Sequence, residues 1–192
     1  MEAFLTSTLL VAIAEVGDKT QLLSFALTAR LREPRAIIAG ILVATLANHA
    51  LAATAGVWLA ALVPAQAMRY GAALLFCAFG LWALRPDRLD REPAAHAAGA
   101  FVTALVAFFI AEMGDKTQLA TVALAARFQS LGTVVAGTTL GMMLANVPAV
   151  LIGEKLAARI PMKFMRRLAA ALFILTGLAS LLDLSALLPK AG

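Results

Sequence analysis

The chain has 192 residues, 62% of them hydrophobic and only 14% charged, with a mean hydropathy of +0.89. That is too apolar for a soluble domain of this length and reads as an integral membrane protein. The formal net charge of +5 resides in loops, where an orientation bias explains it, so it does not imply a nucleic-acid partner.

Apolar segments run over residues 3–29, 36–63, 70–84, 99–126, 132–153 and 168–188. A span needs about 20 residues to cross a hydrocarbon core of about 30 Å, so six spans fit and the predicted fold is an all-α membrane protein. The first segment begins Met1-Glu2-Ala3 without a basic leader and is too long for a signal sequence, so it is expected to be retained. Within it lies the charged cassette Ala14-Glu15-Val16-Gly17-Asp18-Lys19-Thr20-Gln21-Leu22. The second segment carries Asn48 and His49. The third is short, and its ends are expected to recruit Met68, Arg69 and Arg85 by snorkelling. Its Cys77, the one cysteine of the chain, can form no intramolecular disulfide. A polar connector with prolines near both ends, 85–97, follows. The fourth segment then repeats the cassette as Ala111-Glu112-Met113-Gly114-Asp115-Lys116-Thr117-Gln118-Leu119, and the fifth carries Asn146.

The offset between the cassettes is 97 residues, and it holds far beyond them. Arg30 meets Arg127, Gly40 meets Gly137, Met68-Arg69 meets Met165-Arg166, and Phe76-Gly80-Leu81 meets Phe173-Gly177-Leu178. The chain therefore divides into a first three-helix repeat, 1–84, and a second, 98–192. An odd number of spans per repeat forces the second to enter the membrane from the opposite side. Such inverted pairs are the usual architecture of secondary transporters, with the site near the midplane where broken helices meet. A duplicated scaffold without transport is the plain alternative. Counting Lys and Arg by loop puts eleven on the connector side and three on the other, the remaining two lying in the cassettes. This distribution predicts a cytoplasmic connector and both termini outside the cytoplasm.

A carboxylate at mid-membrane costs at least about 2.5 kcal/mol, so four of them persist only if paired, hydrated or bound. On a continuous helix Glu15 and Asp18 share a face, as do Glu112 and Asp115. Symmetry can bring the pairs together, where repulsion is relieved by protonation or by a cation. Gly17 and Gly114 permit a local break whose exposed carbonyls a cation can use, or else simply close helix packing. Thr20, Gln21, Thr117 and Gln118 add neutral oxygens that either ligate an ion or bond to backbone and acids. An all-oxygen set suits hard ions such as Ca²⁺ or Mn²⁺, whereas zinc or copper would want Cys or clustered His. Lys19 and Lys116 offset half of the four carboxylates, leaving −2 for one divalent ion; a gating or charge-pairing role is expected of them. Asn48, His49 and Asn146 are path-lining candidates, or interhelical glue.

This pair of E-x-G-D-K-T motifs, one in each three-span half, closely resembles the Gdt family of small cation/proton exchangers. The resemblance implies exchange of Mn²⁺ or Ca²⁺ for protons. It also implies that Glu15, Asp18, Glu112 and Asp115 are ion ligands and proton carriers, with Thr20, Gln21, Thr117 and Gln118 nearby. On the resemblance alone the expectation turns toward manganese export across a bacterial inner membrane, with no cofactor beyond the transported ion. Self-association is compatible with this reading and not required by it. An exporter of small organic molecules such as amino acids could use a similar six-span frame, but it has no evident need for four acids. A channel would conduct downhill without proton coupling. A metal-dependent enzyme would want a nucleophile, a His ligand set or a nucleotide motif, and none accompanies the carboxylates.

Overall fold

The computed structural model describes residues 1–86, 99–152 and 162–181. The connector from residue 87, His96, the stretch 153–161 and the C-terminal 182–192 lie outside the described residues. Within them the chain forms eight helices and no strand: α1 (Glu2–Glu15), α2 (Lys19–Leu31), α3 (Pro34–Leu62), α4 (Ala65–Ala83), α5 (Ala100–Glu112), α6 (Lys116–Phe128), α7 (Leu131–Ile152) and α8 (Met162–Leu181). By length and composition, α3, α7 and most of α8 (Lys163–Leu181) can each cross a membrane.

The first and fourth apolar segments do not form continuous helices. Each is cut within its cassette, so that α1 and α2, and likewise α5 and α6, are paired half-length helices. The expectation that Glu15 and Asp18 share one helical face is therefore corrected: Glu15 closes α1 and Asp18 precedes α2 as its N-cap. The third segment begins earlier than its apolar run implies. Pro64 stops α3 from continuing, and α4 absorbs Met68 and Arg69. Arg69 does more than snorkel, since its Nη2 donates to the Leu181 carbonyl at 2.7 Å and satisfies an end of α8.

Element boundaries repeat at the 97-residue offset, and so do several of the helix contacts. Arg32 and Gln129, repeat mates, take left-handed conformations just after α2 and α6. Helix α1 packs along α7 while α5 packs along α3, and α4 packs along α8. Gly40 lies where a Cβ would sit 2.6 Å from the Phe101 carbonyl and 2.9 Å from Ala104, and its mate Gly137 stands likewise at 2.7 Å from Phe4 and 2.9 Å from Ser7. The same exchange relates Gly80, set against Ala170 and Ile174, to Gly177, set against Ala73 and Cys77. Small residues at such crossings let helix backbones approach closely, the main route to helix association in lipid. Gly40→Val and Gly137→Val are each expected to destabilise the fold by about 1–3 kcal/mol through overpacking. A lowered midpoint of thermal aggregation in detergent would show it.

Two apolar cores result. One gathers Leu10, Phe76, Phe79, Leu124 and Phe173 from α1, α4, α6 and α8. The other gathers Leu27, Ile37, Ile41, Ala104 and Phe108 from α2, α3 and α5, with nothing from α4 or α8. Accordingly α4 packs on α6 and α8 on α1, while their repeat-related pairings, α8 with α2 and α4 with α5, have no comparable packing among the described residues. Meanwhile the outer surface is strongly apolar, with Leu51, Trp58, Leu74, Leu81, Ile110 and Leu151 exposed and the cassette acids buried. That inside-out distribution suits lipid rather than water.

Candidate functional site

Each cassette is built around one glycine. Gly17 has φ of 81° and Gly114 of 75°, in the left-handed region that L side chains rarely adopt. The chain turns there, and α2 and α6 start at the next residue but one. The two breaks are braced alike. The Gly17 N–H donates to Gln21 Oε1 at 3.0 Å, and the Gly114 N–H to Gln118 Oε1 at 2.7 Å. Each glutamine then uses its amide elsewhere: Gln21 Nε2 donates to the Ala145 carbonyl at 3.1 Å and Gln118 Nε2 to Asn48 Oδ1 at 3.2 Å. Both glutamines thus make the backbone contacts that were one of the two roles open to them. They hold the breaks and tie them to α7 and α3.

The breaks leave Glu15 and Glu112 at the C-terminal ends of α1 and α5, and Asp18 and Asp115 at the N-caps of α2 and α6. All four are buried. The aspartates sit where helix dipoles favour negative charge, while the glutamates adjoin chain turns whose carbonyls have no helical partner. Glu15, Glu112 and Asp115 each bring a carboxylate oxygen to within 4.8 Å of the others. Oxygens that close, from both halves of the chain, can share a single cation.

Asp18 is placed differently. It forms an ion pair with buried Lys116 of the other cassette, and Lys19 in turn pairs with Asp115 at 3.0 Å. Both lysines therefore cross between the halves, tying each motif to the aspartate of its counterpart. Four carboxylates and two ammonium groups leave −2 if all are ionised.

The two glutamates, alike in sequence, differ in surroundings. Glu15 accepts hydrogen bonds from the hydroxyls of Thr20 and Thr117, one on each oxygen. Neither oxygen of Glu112 has a hydrogen-bond partner among the described residues. His49 lies beside it, with Nε2 4.0 Å from Glu112 Oε2. Thr20 and Thr117 are thus hydroxyl donors to one acid, each keeping lone pairs for another partner.

Of the three path-lining candidates, two make hydrogen bonds that join helices. Asn48 donates to the Phe109 carbonyl at 3.1 Å besides accepting from Gln118. Asn146 accepts from Ser24 Oγ at 2.8 Å and donates to the Met142 carbonyl at 3.1 Å. Ser24 was not singled out by the sequence, where it is one of three hydroxyl residues on α2. Its repeat mate Thr121 was the available signal. His49 alone of the three faces the acids.

The chain matches the family model described as divalent cation/proton antiporter GDT1 over residues 3–91 and 100–186. The gap falls in the polar connector, so both repeats are covered. A Vibrio cholerae protein named "Putative manganese exporter" is 49% identical over 171 residues, spanning 88% of this chain and 86% of its own length. A GDT1-like protein of Synechocystis is 30% identical over 203 residues, covering 94% of this chain and 97% of the relative. GDT1-like protein 5 of Arabidopsis thaliana is 28% identical over 222 residues, covering 95% and 96%. These likenesses extend well past the motifs, through nearly all of each chain. No solved structure matches.

Proposed function

This chain belongs to the GDT1 family of divalent cation/proton antiporters, and from that premise we infer that it exports Mn²⁺ from the cytoplasm in exchange for protons. One observation carries the assignment to particular residues: Glu15, Glu112 and Asp115 bring oxygens from both halves of the chain within 4.8 Å of one another in a buried site. Asp18 acts beside them through Lys116.

In this reading the protein sits in a bacterial inner membrane as two inverted three-span repeats. The broken pairs α1–α2 and α5–α6 are the first span of each, and both termini face away from the cytoplasm. The 97-residue register, the exchanged glycine crossings and the basic connector support it. The uneven packing then acquires a direction. The pair α4–α8 rests on α1 and α6, and Arg127 at the end of α6 bridges them, donating to the Thr176 carbonyl at 3.3 Å with Glu2 4.0 Å away. The non-cytoplasmic end is therefore the closed one. Its repeat-related state closes α4–α8 onto α5 and α2 instead, which is how inverted repeats alternate access to one site.

Coupling follows from competition. Mn²⁺ binding requires carboxylates free of protons, and protonation of the same oxygens releases the ion. A site that crosses the membrane with either cargo, but not with both, exchanges one for the other. Apparent Mn²⁺ affinity is thus expected to weaken as the pH on the binding side falls.

Proteoliposomes with an imposed pH gradient test the function. With the lumen acid, Mn²⁺ is expected to accumulate inside and a protonophore to abolish the uptake; Ca²⁺ and Mg²⁺ measured side by side give the preference. Metal entry that ignores the gradient would indicate a channel. Gradient-driven amino-acid movement without metal exchange would favour the organic-solute exporter.

A further inference from the structure

The halves of the site are related in sequence but not in what their polar groups have left to give. Glu15 is held by two threonine hydroxyls, whereas its mate Glu112 holds none. Asn146 spends its amide on Ser24 and Met142, whereas its mate His49 has neither ring nitrogen hydrogen-bonded among the described residues. Both of the uncommitted groups, Glu112 and His49, are fully buried, and they face each other at 4.0 Å. A buried imidazole without a hydrogen-bond partner is costly, so a ligand that arrives from elsewhere is the natural partner.

The separation suits a shared ion. Two ligands each about 2.1 Å from one metal stand about 3.0 Å apart at right angles and about 4.2 Å apart across it. On the reading of Proposed function we propose that His49 is a ligand of the transported ion, supplying through Nε2 a nitrogen donor that sets selectivity for Mn²⁺ over Ca²⁺ and Mg²⁺. The motif acids alone discriminate poorly, because carboxylates suit all three ions. Imidazole does not: Ca²⁺ and Mg²⁺ bind through oxygen, whereas a first-row transition ion accepts nitrogen readily. Only the first repeat carries this donor, since the second has Asn146 in its place. The ion is thereby drawn toward the Glu112 side of the carboxylate cluster.

The test uses the intact chain in proteoliposomes, comparing wild type with His49→Asn, which installs the side chain the second repeat already has. Wild type is expected to prefer Mn²⁺. The variant should lose roughly 10-fold or more of that preference, a factor typical of impaired metal ligation, with Ca²⁺ exchange retained. An equal loss for both ions, or no change in their ratio, overturns the proposal. Wild type that moves neither ion defeats the exchange reading itself, which keeps the two failures apart. A second measurement does not depend on the variant folding. Pulsed electron paramagnetic resonance of Mn²⁺ bound to protein grown with ¹⁵N-histidine should show coupling to a directly bound ring nitrogen, persisting in His96→Gln, which removes the other histidine of the chain. Bound Mn²⁺ with no histidine nitrogen coupling overturns the proposal whatever the fluxes show.

Discussion

Glu112→Gln is expected to abolish proton-coupled Mn²⁺ exchange while leaving the protein folded and inserted. The substitution preserves size and removes one charge, so the five ionised groups that remain sum to −1, where the original six sum to −2, and no longer balance a divalent ion. It also converts a group with two open oxygens into one that can neither bind a metal as an anion nor carry a proton. Removing an outer partner of a metal ligand costs roughly 10- to 100-fold in affinity, and removing the ligand should exceed that. Asp115→Asn should behave similarly, with the added loss of the opposite charge beside Lys19. Thr117→Ala is the useful contrast, because it deletes one of two hydroxyls on Glu15 and should weaken exchange rather than end it. Initial rates of Mn²⁺ uptake in proteoliposomes, normalised to protein eluting as a single species, decide the matter. Exchange within a few-fold of wild type would remove Glu112 from the site.

The residues that make these predictions were mostly legible beforehand, but their division of labour was not. Apolar runs located the helices because lipid demands long stretches without charge. The 97-residue register paired α1 with α5 and α3 with α7 because a duplicated sequence buries the same faces twice. Gly17 and Gly114 left a break or close packing open in the sequence, and their left-handed φ, which glycine permits and its neighbours resist, decides for the break. What the sequence could not separate were things alike in it. Glu15 and Glu112 occupy identical motifs, yet only the first has two hydroxyl partners. Gln21 and Gln118 looked equally suited to ligating an ion and to bracing backbone, and geometry assigned them to the glycine N–H groups. His49 read as one of three polar path residues until its distance to Glu112 distinguished it. The glutamines reach only four residues back, but the contacts of Thr117 with Glu15 and of His49 with Glu112 join residues far apart in the chain, and local pattern carries no information about such contacts.

The crossing of the lysines is the least foreseeable of these contacts and leads to the largest expected effect on stability. Lys116 and Asp18 are both buried and belong to different repeats. A buried ion pair adds little net stability over a neutral pair of similar shape, because desolvation offsets attraction. Breaking it from one side is another matter, since the surviving charge keeps its desolvation cost without the compensating partner. Lys116→Met is therefore expected to destabilise the protein by about 3–5 kcal/mol. The double variant Asp18→Asn/Lys116→Met should recover most of that loss, even though it is expected to be inactive. The thermal midpoints of the two singles, the double and the wild type in detergent form a cycle whose coupling term isolates the pair. Additive effects would mean that the lysine is held in place by something other than Asp18. A strong coupling would instead make the cross-repeat pair a clasp between the two cassettes.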